Sequence, residues 1–319
     1  MTASPVTVGI LDDFQNVARS FADWGRLEHR ARVTFFNDHV TGEALIERLA
    51  PFDVVMAIRE RTAFPRSVVE RLPKLRLLIT AGMRNLGIDL AACSDHGIVV
   101  SGTPTGSAPT AELAFGLILA LSRHIVHEDR ALREGRWQTR LGSGVSGATL
   151  GLVGLGRLGA QTAGYAQAFG MKTIAWSQNL TAERAAEVGC ERVEKARLFA
   201  RADYVSLHLI LGERTRGVVG AAELAAMKPS ACLINTSRAG LVDEPALIAA
   251  LHAGRIAGAA LDVHGEEPLP PDAAIRAAPN TILTPHLGYA TAESYACYFP
   301  GAVEDIEAWL AGAPIRALG

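Results

Sequence analysis

The sequence predicts an α/β protein with two domains, each built on a parallel β-sheet. Its 319 residues suit two domains of roughly 150 residues each. Short runs of β-branched and apolar residues alternate with helix-like stretches, and these runs form two successive series. Apolar strands that alternate with helices indicate a parallel sheet covered by helices on both faces.

The first series predicts five strands. They are VTVGIL at 6–11, VTFF at 33–36, DVVMAI at 53–58, LRLLIT at 75–80 and GIVVSG at 97–102. The pattern then breaks at GTPTGSAPTAE, residues 102–112, where small residues and prolines precede a long apolar helix. This change of composition predicts the crossing between the two domains.

The second series predicts six strands. They are TLGLVGL at 149–155, KTIAW at 172–176, YVSLHL at 204–209, ACLINT at 231–236, AGAALDV at 257–263 and TILTP at 281–285. The segment that follows the last strand is free to pack back on the first domain. We therefore predict one domain from residues 1–105 plus 291–319 and a second domain from residues 106–290.

The composition is that of an ordinary soluble globular protein. Hydrophobic residues make up 49% of the chain, charged residues 20%, and the formal net charge is -2, so nothing argues for nucleic acid as a partner. The N-terminal stretch lacks a basic region followed by a long apolar run, and LAFGLILAL at 113–121 is too short to span a bilayer. We expect a cytoplasmic protein with no membrane anchor.

The four cysteines lie far apart, and none belongs to a CxxC pair or a Cys/His cluster: Cys93, Cys190, Cys232 and Cys297. We expect buried, reduced thiols rather than a disulfide frame, and no metal site.

Three glycines, Gly154, Gly156 and Gly159, form a G-x-G-x-x-G motif that follows a predicted strand and opens a helix. In this context the first glycine permits a tight turn, the second lets backbone approach a pyrophosphate, and the third lets helix and strand pack closely. The helix N-terminus would supply N–H groups to the phosphates. The alternative is a glycine-rich turn that binds nothing. The motif predicts a Rossmann-like site for a nicotinamide dinucleotide.

The strand after this helix ends in Ser177, Gln178 and Asn179. In an NAD site an acid about 20 residues after the glycines accepts hydrogen bonds from the ribose and would repel a 2′-phosphate. Neutral polar groups remove that repulsion, but no arginine is adjacent, and the nearest one downstream is Arg184. Both interpretations stay open: the site accepts NADP, or Ser177 simply hydrogen-bonds the ribose of NAD.

Three chemically capable side chains follow three successive predicted strands: Arg238, Glu267 and His286. Ligands of open α/β sheets bind beyond the carboxyl ends of the strands, so we expect these groups to converge. Arg238 would offer a fixed fork of donors to a carboxylate or carbonyl oxygen. His286 would give a proton to the carbonyl oxygen as hydride arrives, and Glu267 would favour the protonated imidazole and fix its tautomer. The alternatives are that Arg238 forms a surface ion pair, that His286 is a structural histidine and that Glu267 is a solvated acid.

With these motifs the chain resembles the D-isomer-specific 2-hydroxyacid dehydrogenase family, which includes glycerate, phosphoglycerate and D-lactate dehydrogenases and glyoxylate/hydroxypyruvate reductases. The matching stretches are PTAELAFGLILAL, LGLVGLGRLG, SLHLILGERTRGVVG, MKPSACLINTSRAGLVDEPAL, GAALDVHGEEPLP and TPHLGYAT. The resemblance implies two Rossmann-like or flavodoxin-like domains with the active site in the cleft between them. It also implies a homodimer and the catalytic set Arg238, Glu267 and His286.

The resemblance further implies contacts to NAD or NADP beyond the glycines. Arg157 and Leu158 would meet the pyrophosphate, while Thr236 and Asp262 would lie near the nicotinamide. The predicted cofactor-binding residues are Gly154, Gly156, Arg157, Leu158, Gly159, Ser177, Thr110, His208, Thr236 and Asp262.

The N-terminal half matches the family less tightly. LLITAGMRNLGIDLAA occupies the position of the family's substrate-binding turn, so the N–H groups of Gly82, Met83 and Arg84 are candidates for binding a carboxylate. Arg84 and Arg59 would add positive charge for an anionic substrate, although Arg59 could instead pair with a nearby acid.

The last helix departs from the family pattern. It contains Pro300, which should break or kink it. We expect Tyr295, Tyr298 and Phe299, near that break, to be able to line the mouth of the substrate site.

The leading prediction is an NAD(P)-dependent dehydrogenase or reductase for a small anionic 2-oxo or 2-hydroxy acid. A formate-type site is disfavoured because that branch has a glutamine where this chain has Glu267. A phosphite dehydrogenase stays open, as does a dinucleotide-sensing corepressor that binds partner proteins.

Overall fold

The computed structural model describes residues 4–106 and 109–319. Residues 1–3 and 107–108, the latter within the predicted crossing at 102–112, lie outside the described residues. The chain divides into two compact units, residues 1–107 with 291–319 and residues 108–290. Each unit has its own sheet, and every strand pair within the two sheets is parallel. The predicted α/β class with two parallel sheets is confirmed.

The first unit contains a five-stranded sheet in the order β2-β1-β3-β4-β5. Its strands are β1 (Val6–Ile10), β2 (Ala31–Phe35), β3 (Val54–Ala57), β4 (Leu77–Thr80) and β5 (Val99–Gly102). All five predicted strands are confirmed. The strand order reverses between β1 and β3, which is where open sheets of this kind form a ligand crevice at the carboxyl ends of the strands.

The helices of the first unit are mostly short, and the long one comes from the C-terminal segment. They are α1 (Ala18–Phe21), α2 (Gly42–Leu49), α3 (Arg66–Val69), α4 (Leu90–Asp95) and, near the end of the chain, α12 (Ala292–Leu310).

The expectation that Pro300 breaks the last helix is wrong, and the alternative, a kink at Pro300, stays a prediction. Helix α12 continues through Pro300 for 19 residues. A proline inside a helix removes one hydrogen bond and costs about 3 kcal/mol. Tertiary packing offsets this cost, since one face of α12 is buried and includes Phe299 and Ile306, both 0% exposed. Burial of such side chains contributes roughly 1.5–3 kcal/mol each.

The second unit contains a seven-stranded sheet in the order β12-β11-β10-β9-β6-β7-β8. Its strands are β6 (Thr149–Val153), β7 (Lys172–Trp176), β8 (Glu191–Arg192), β9 (Tyr204–Leu207), β10 (Cys232–Asn235), β11 (Gly258–Leu261) and β12 (Thr281–Leu283). The six predicted strands are confirmed. The prediction missed β8, a two-residue exposed edge strand, because so short a segment carries no apolar pattern.

Helices cover both faces of this sheet. They are α5 (Pro109–Ser122), α6 (Ile125–Arg133), α7 (Arg157–Ala168), α8 (Ala182–Glu187), α9 (Lys195–Arg201), α10 (Ala221–Ala226) and α11 (Glu244–His252). Successive strand residues point to opposite faces, so Leu152 and Ile234 belong to one buried apolar cluster, whereas Val153 and Leu233 belong to the other. This two-sided burial explains why the strands are continuously apolar.

Three of the four cysteines, Cys93, Cys190 and Cys232, are buried, and all four are free thiols. Burial raises the pKa of the Cys93 and Cys232 thiols to about 11. Within the described residues, no group of three or more histidines, cysteines and acids could hold a metal ion.

Among the residues that the structure describes, no single helix combines the length and the apolar character needed to cross a membrane. One bent pair, α5 with α6, passes on length and composition alone, with a 59° bend between its helices.

Candidate active site

The glycine loop joins β6 to α7 with the geometry that its motif predicts. Gly154 has a φ of 102°, and a Cβ atom there would lie 2.7 Å from the His208 carbonyl oxygen. A Cβ atom at Gly159 would overlap the Gly154 carbonyl oxygen. Gly156, the N-cap of α7, has no atom within 4 Å of an added Cβ. The loop is therefore tight at its first and third glycines and open at its second, where a phosphate would approach.

A cavity of about 820 Å³ opens beside this loop, and its lining residues all belong to the second unit. Gly154, Gly156, Ser177 and His208 line it, as predicted for the cofactor site. It lies between the ends of β6 and β9, where the strand order reverses, and ligands of open α/β sheets bind there. The predicted residues Arg157, Leu158 and Gly159 are on the first turn of α7 beside it.

The polar lining is neutral at the end of β7 and charged farther out. Ser177, Gln178 and Asn179 line the cavity at the end of β7. Arg184 and Arg214 also line it, together with the acid Glu213, among other residues. Arg184 donates to Glu187 Oε2 at 2.9 Å in an exposed ion pair.

His208 lies directly after β9 against the glycine loop. Its Nε2 is 2.9 Å from the Ser206 hydroxyl oxygen. Burial lowers the pKa of His208 to about 4, so the ring is neutral at pH 7. It therefore adds no charge to this end of the cavity.

Thr236 supplies an independent sign that a ligand belongs at the carboxyl end of β10. The residue is 5% exposed, and its hydroxyl is buried without a hydrogen-bond partner among the described residues. Buried polar groups normally have a partner. Together with the glycine loop and the cavity, this hydroxyl fits a nicotinamide dinucleotide.

Glu267 and His286 are brought together by the neighbouring strands β11 and β12. Glu267 Oε2 lies 2.6 Å from His286 Nδ1, and the side chains are 28% and 19% exposed. Burial alone would raise the pKa of the Glu267 carboxyl. The hydrogen bonds from the His286 ring and from the His264 N–H outweigh this effect, so the pKa is below its usual value. The carboxylate is therefore the acceptor, and Nδ1 carries the hydrogen. His286 Nε2 is left as the nitrogen that can exchange a proton with a ligand.

Asp262 holds the loop that carries His286. Its Oδ1 accepts hydrogen bonds from the Thr284 hydroxyl at 2.6 Å and the Leu287 N–H at 2.7 Å, and its Oδ2 accepts from the Gly288 N–H at 2.9 Å. Burial raises the pKa of this carboxyl, which is 0% exposed. Three internal donors thus occupy the oxygens of Asp262. Contact between Asp262 and a cofactor stays a prediction.

Thr284 is a member of this network that sequence reasoning missed. The only sequence feature that could have pointed to Thr284 is its position two residues before His286. The predicted residue Thr110 binds the same loop from α5, since its hydroxyl donates to the Gly288 carbonyl at 2.7 Å.

Arg238 follows β10, the strand next to β11, at the same edge of the sheet as Glu267 and His286. The Asn235 side-chain amide donates to the Arg238 carbonyl at 2.9 Å, and Arg238 Nη1 donates to the Ser237 carbonyl at 2.6 Å. The first bond fixes the backbone after β10, and the second holds one nitrogen of the guanidinium against that backbone. The three predicted catalytic residues thus follow three adjacent parallel strands, and Glu267 and His286 are in direct contact.

The predicted substrate turn in the first unit is partly different from the expectation. The Gly82 N–H donates to the Thr103 hydroxyl at 2.9 Å, so this N–H is already engaged within the first unit. Its contact with a substrate carboxylate stays a prediction. Thr103, just beyond β5, captures this N–H because β4 and β5 are adjacent. The N–H groups of Met83 and Arg84 have no hydrogen-bond partner within residues 4–106 and 109–319, and both residues are exposed.

Arg59 lies at the end of β3 with a left-handed backbone, φ 56°. Its Nη1 donates to the Ala81 carbonyl at 3.2 Å, and a side chain at Gly82 would overlap this guanidinium. The Asn85 amide donates to the Arg59 carbonyl at 2.6 Å. Arg59 is therefore held against the β4 turn, beside Met83 and Arg84.

The aromatic residues of α12 are core residues rather than the lining of a mouth. Tyr295 and Tyr298 are each 4% exposed, and Phe299 is fully buried. The Tyr295 ring packs edge-on against Phe299 at 5.4 Å. Because α12 does not break at Pro300, no break turns these side chains outward.

Comparisons with known proteins agree on the family. The family model described as D-isomer specific 2-hydroxyacid dehydrogenase, NAD binding domain, matches residues 115–288. The chain is 37% identical over 276 residues to D-3-phosphoglycerate dehydrogenase of Synechocystis, a match that covers 86% of this chain and 50% of the relative. The chain thus spans about half the length of this relative.

A shorter relative and a solved structure match over most of both chains. Glyoxylate reductase of Korarchaeum cryptofilum is 36% identical over 278 residues, which is 84% of this chain and 83% of the relative. The crystal structure of a phosphoglycerate oxidoreductase from Vibrio cholerae has a TM-score of 0.91 and 39% identity, covering 97% of this chain and 100% of that one. The chain belongs to the D-isomer-specific 2-hydroxyacid dehydrogenase family.

Proposed function

We propose that the protein transfers a hydride between NAD(P) and a small anionic 2-oxo or 2-hydroxy acid. The observation that carries this proposal is the Glu267–His286 pair, hydrogen-bonded at 2.6 Å, at the same sheet edge as Arg238. The nicotinamide cofactor supplies or accepts the hydride when bound. Gly154, Gly156 and the hydroxyl of Thr236 are among the residues that would hold it.

In this mechanism His286 handles the proton. In reduction, His286 Nε2 gives its proton to the carbonyl oxygen, and in oxidation it takes the hydroxyl proton back. Glu267 stabilises the imidazolium form, and its hydrogen bond keeps the ring in one orientation. Arg238 binds the carboxylate or the carbonyl oxygen of the substrate, where its planar fork fits better than an ammonium group.

We propose that Met83 and Arg84 contribute N–H groups to the substrate carboxylate and that Arg59 adds positive charge. The support is that these two N–H groups are without partners in the described parts of the chain. A small carboxylate has lone pairs for both donors.

The test is steady-state oxidation of NADH and NADPH with glyoxylate, hydroxypyruvate and 3-phosphohydroxypyruvate. We expect turnover with one or more of these acids, a loss of about 10²–10⁴-fold in kcat for His286→Ala, and an increase in KM for the acid in Arg238→Lys. Cofactor binding without turnover of any 2-oxo acid would overturn the proposal and favour a dinucleotide-sensing module. Phosphite added as donor with NAD or NADP tests the phosphite alternative.

For the cofactor we propose that NADPH binds at least as well as NADH. The end of β7 carries no acid, and Arg184 lines the same cavity as Ser177. Its exposed ion pair with Glu187 contributes little, so reorienting Arg184 toward a 2′-phosphate costs little.

Fluorescence titration with NADH and NADPH at low and moderate salt tests this preference. Ser177→Asp and Arg184→Ala should each weaken NADPH binding by several-fold or more and leave NADH binding within about twofold, because only NADPH has the phosphate. Arg201→Ala is the matched control, since Arg201 pairs with Glu191 and is not one of the residues that line the cavity. Tighter NADH binding in the unmodified protein would overturn the proposed preference.

We propose that the protein is a homodimer that associates through the exposed apolar surface on α6 and the segment after it. The side chains of Ile125, Leu132, Trp137 and Leu141 there are 53%, 57%, 77% and 96% exposed, and a concentration of exposed large apolar groups marks an interaction site. Acids and arginines alternate along the same surface, for example Asp129 with Arg133. A two-fold copy of a surface with both signs of charge can face it without like-charge repulsion.

Light scattering after size exclusion should give twice the chain mass for the unmodified protein and the chain mass for Trp137→Glu with Leu141→Glu. Leu86→Glu, an equally drastic change at an exposed leucine of the first unit, should stay dimeric.

The proposed cytoplasmic location stays a prediction.

A further inference from the structure

We propose that His264 is a positioning residue that holds the Glu267 carboxylate and the His286 loop in register. This inference rests on the proposed function of the Glu267–His286 pair. His264 follows Asp262 by two residues, in the connection after β11.

The backbone of His264 engages the carboxylate. The His264 N–H donates to Glu267 Oε1 at 2.8 Å, whereas Glu267 Oε2 bonds to His286 Nδ1 at 2.6 Å. The two oxygens of Glu267 are thus held from two sides. A carboxylate fixed at both oxygens presents one orientation to the imidazole.

The ring of His264 engages the other side of the site. Its Nε2 lies 3.0 Å from the Thr284 carbonyl oxygen. A carbonyl oxygen only accepts hydrogen bonds, so Nε2 carries the hydrogen and donates it. Thr284 is two residues before His286, and its hydroxyl donates to Asp262. His264 therefore ties the start of the His286 loop to the segment that carries Glu267.

The loop needs such ties. His286 has a left-handed backbone, with φ 54°, a conformation that a residue with a side chain adopts only where its surroundings hold it. The ties seen in the structure include those of Asp262 to Thr284, Leu287 and Gly288, that of Thr110 to Gly288, that of Glu267 to the ring, and that of His264 to Thr284.

Burial gives a second, independent reason. His264 is 8% exposed, and its Nδ1 is buried without a hydrogen-bond partner in the described part of the chain. A phenylalanine would fill a similar volume without a buried, unpartnered nitrogen. The buried, unpartnered Nδ1 is unfavourable, so a histidine at this position requires a compensating role for the other ring nitrogen. The hydrogen bond from Nε2 to the Thr284 carbonyl is that role.

The kinetic test compares His264→Phe, which keeps the ring volume, with His264→Gln, whose amide N–H can reach the Thr284 carbonyl. We expect His264→Phe to lower kcat by about 10-fold or more, since small displacements of catalytic groups cost up to about 10²-fold, with the KM for the nicotinamide cofactor within about twofold. His264→Gln should recover most of the loss. His252→Gln, at an exposed histidine of α11, is the control and should leave kcat unchanged.

A second measurement does not depend on turnover. Long-range ¹H–¹⁵N spectra of the histidine rings report which nitrogen of each ring carries hydrogen. In the unmodified protein we expect the Nε2–H form for His264, and we expect the His286 ring signals to move in His264→Phe and to return in His264→Gln.

The outcomes separate the two proposals. If the unmodified protein turns over no 2-oxo acid, the proposed function fails, while the ring spectra still test the tie between His264 and His286. If His264→Phe matches the unmodified protein in kcat and in the His286 ring signals, the positioning role is overturned. Loss of kcat in both His264 variants, with unmoved His286 signals, also overturns it.

Discussion

Glu267 Oε2 and His286 Nδ1 are joined by a 2.6 Å hydrogen bond across two neighbouring strands of one parallel sheet. The bond joins residues that are 19 positions apart in the chain. It aligns an acceptor-only group with one ring nitrogen and leaves the other nitrogen for proton transfer.

Glu267→Gln should lower kcat by about 10²-fold and leave the dissociation constant of NAD(P)H within about twofold. The amide keeps the volume but removes the negative charge that stabilises the imidazolium. Glu266→Gln is the matched control, because it makes the same change one position away. Equal kcat for Glu267→Gln and the unmodified protein would contradict the assigned role.

Asp262→Asn should destabilise the protein by about 2 kcal/mol, because one oxygen becomes an amide NH₂ group that opposes one of the donors. The same change should lower kcat, since the loop that carries His286 loses an anchor. Urea unfolding and steady-state kinetics measure the two effects. Asp272→Asn, at an exposed acid, should change neither, and an unaltered unfolding midpoint in Asp262→Asn would refute the anchoring role.

Alanine at two glycines of one turn should have different consequences. Gly159→Ala should cost about 1–3 kcal/mol of stability, because the new Cβ overlaps the Gly154 carbonyl oxygen. The Cβ atom added by Gly156→Ala has no atom within 4 Å, so this variant should keep the melting temperature unchanged. It should weaken the binding of NADH and NADPH, because their pyrophosphate needs that space. Thermal melts and fluorescence titration separate the two; a stable Gly159→Ala would contradict the packing described.

Asp305 should make stability depend on pH. Burial raises its pKa from 3.8 to about 7, although Arg316 lies against it. A raised pKa means that the folded state binds the proton more tightly than the unfolded state, so this contribution is full below about pH 4 and is lost as the pH rises through about 7. Each unit of pKa difference is worth about 1.4 kcal/mol.

Urea unfolding of the unmodified protein and of Asp305→Asn at pH 5 and pH 8 measures this dependence. The unmodified protein should lose about 2–3 kcal/mol relative to the variant between these values. A constant difference between the two proteins across that range would show that Asp305 does not titrate there.

Cysteine alkylation should be selective. Burial raises the pKa of Cys93 and Cys232 to about 11 and raises that of Cys190 in the same direction, and thiolates are the reactive form. At pH 8 iodoacetamide should modify the native protein at Cys297 far faster than at the other three. Peptide mass spectrometry identifies the sites, and urea-unfolded protein, in which all four should react, is the control.

The sequence by itself determined the α/β class, the strands of both sheets except β8, the glycine turn and the order of Arg238, Glu267 and His286 after consecutive strands. These features are predictable because strand periodicity is local and because parallel strands deliver their carboxyl ends to one edge.

Only the tertiary structure decided which groups hydrogen-bond across that edge. In the folded chain the Gly82 N–H donates to the Thr103 hydroxyl, three internal donors bond to the Asp262 carboxylate, and the His264 ring bonds to the Thr284 carbonyl. The tertiary structure also let α12 continue through Pro300, because burial of one helix face offsets a lost hydrogen bond. Such contacts join residues about 20 or more positions apart, or depend on packing against a sheet, and no local pattern of residue types specifies them.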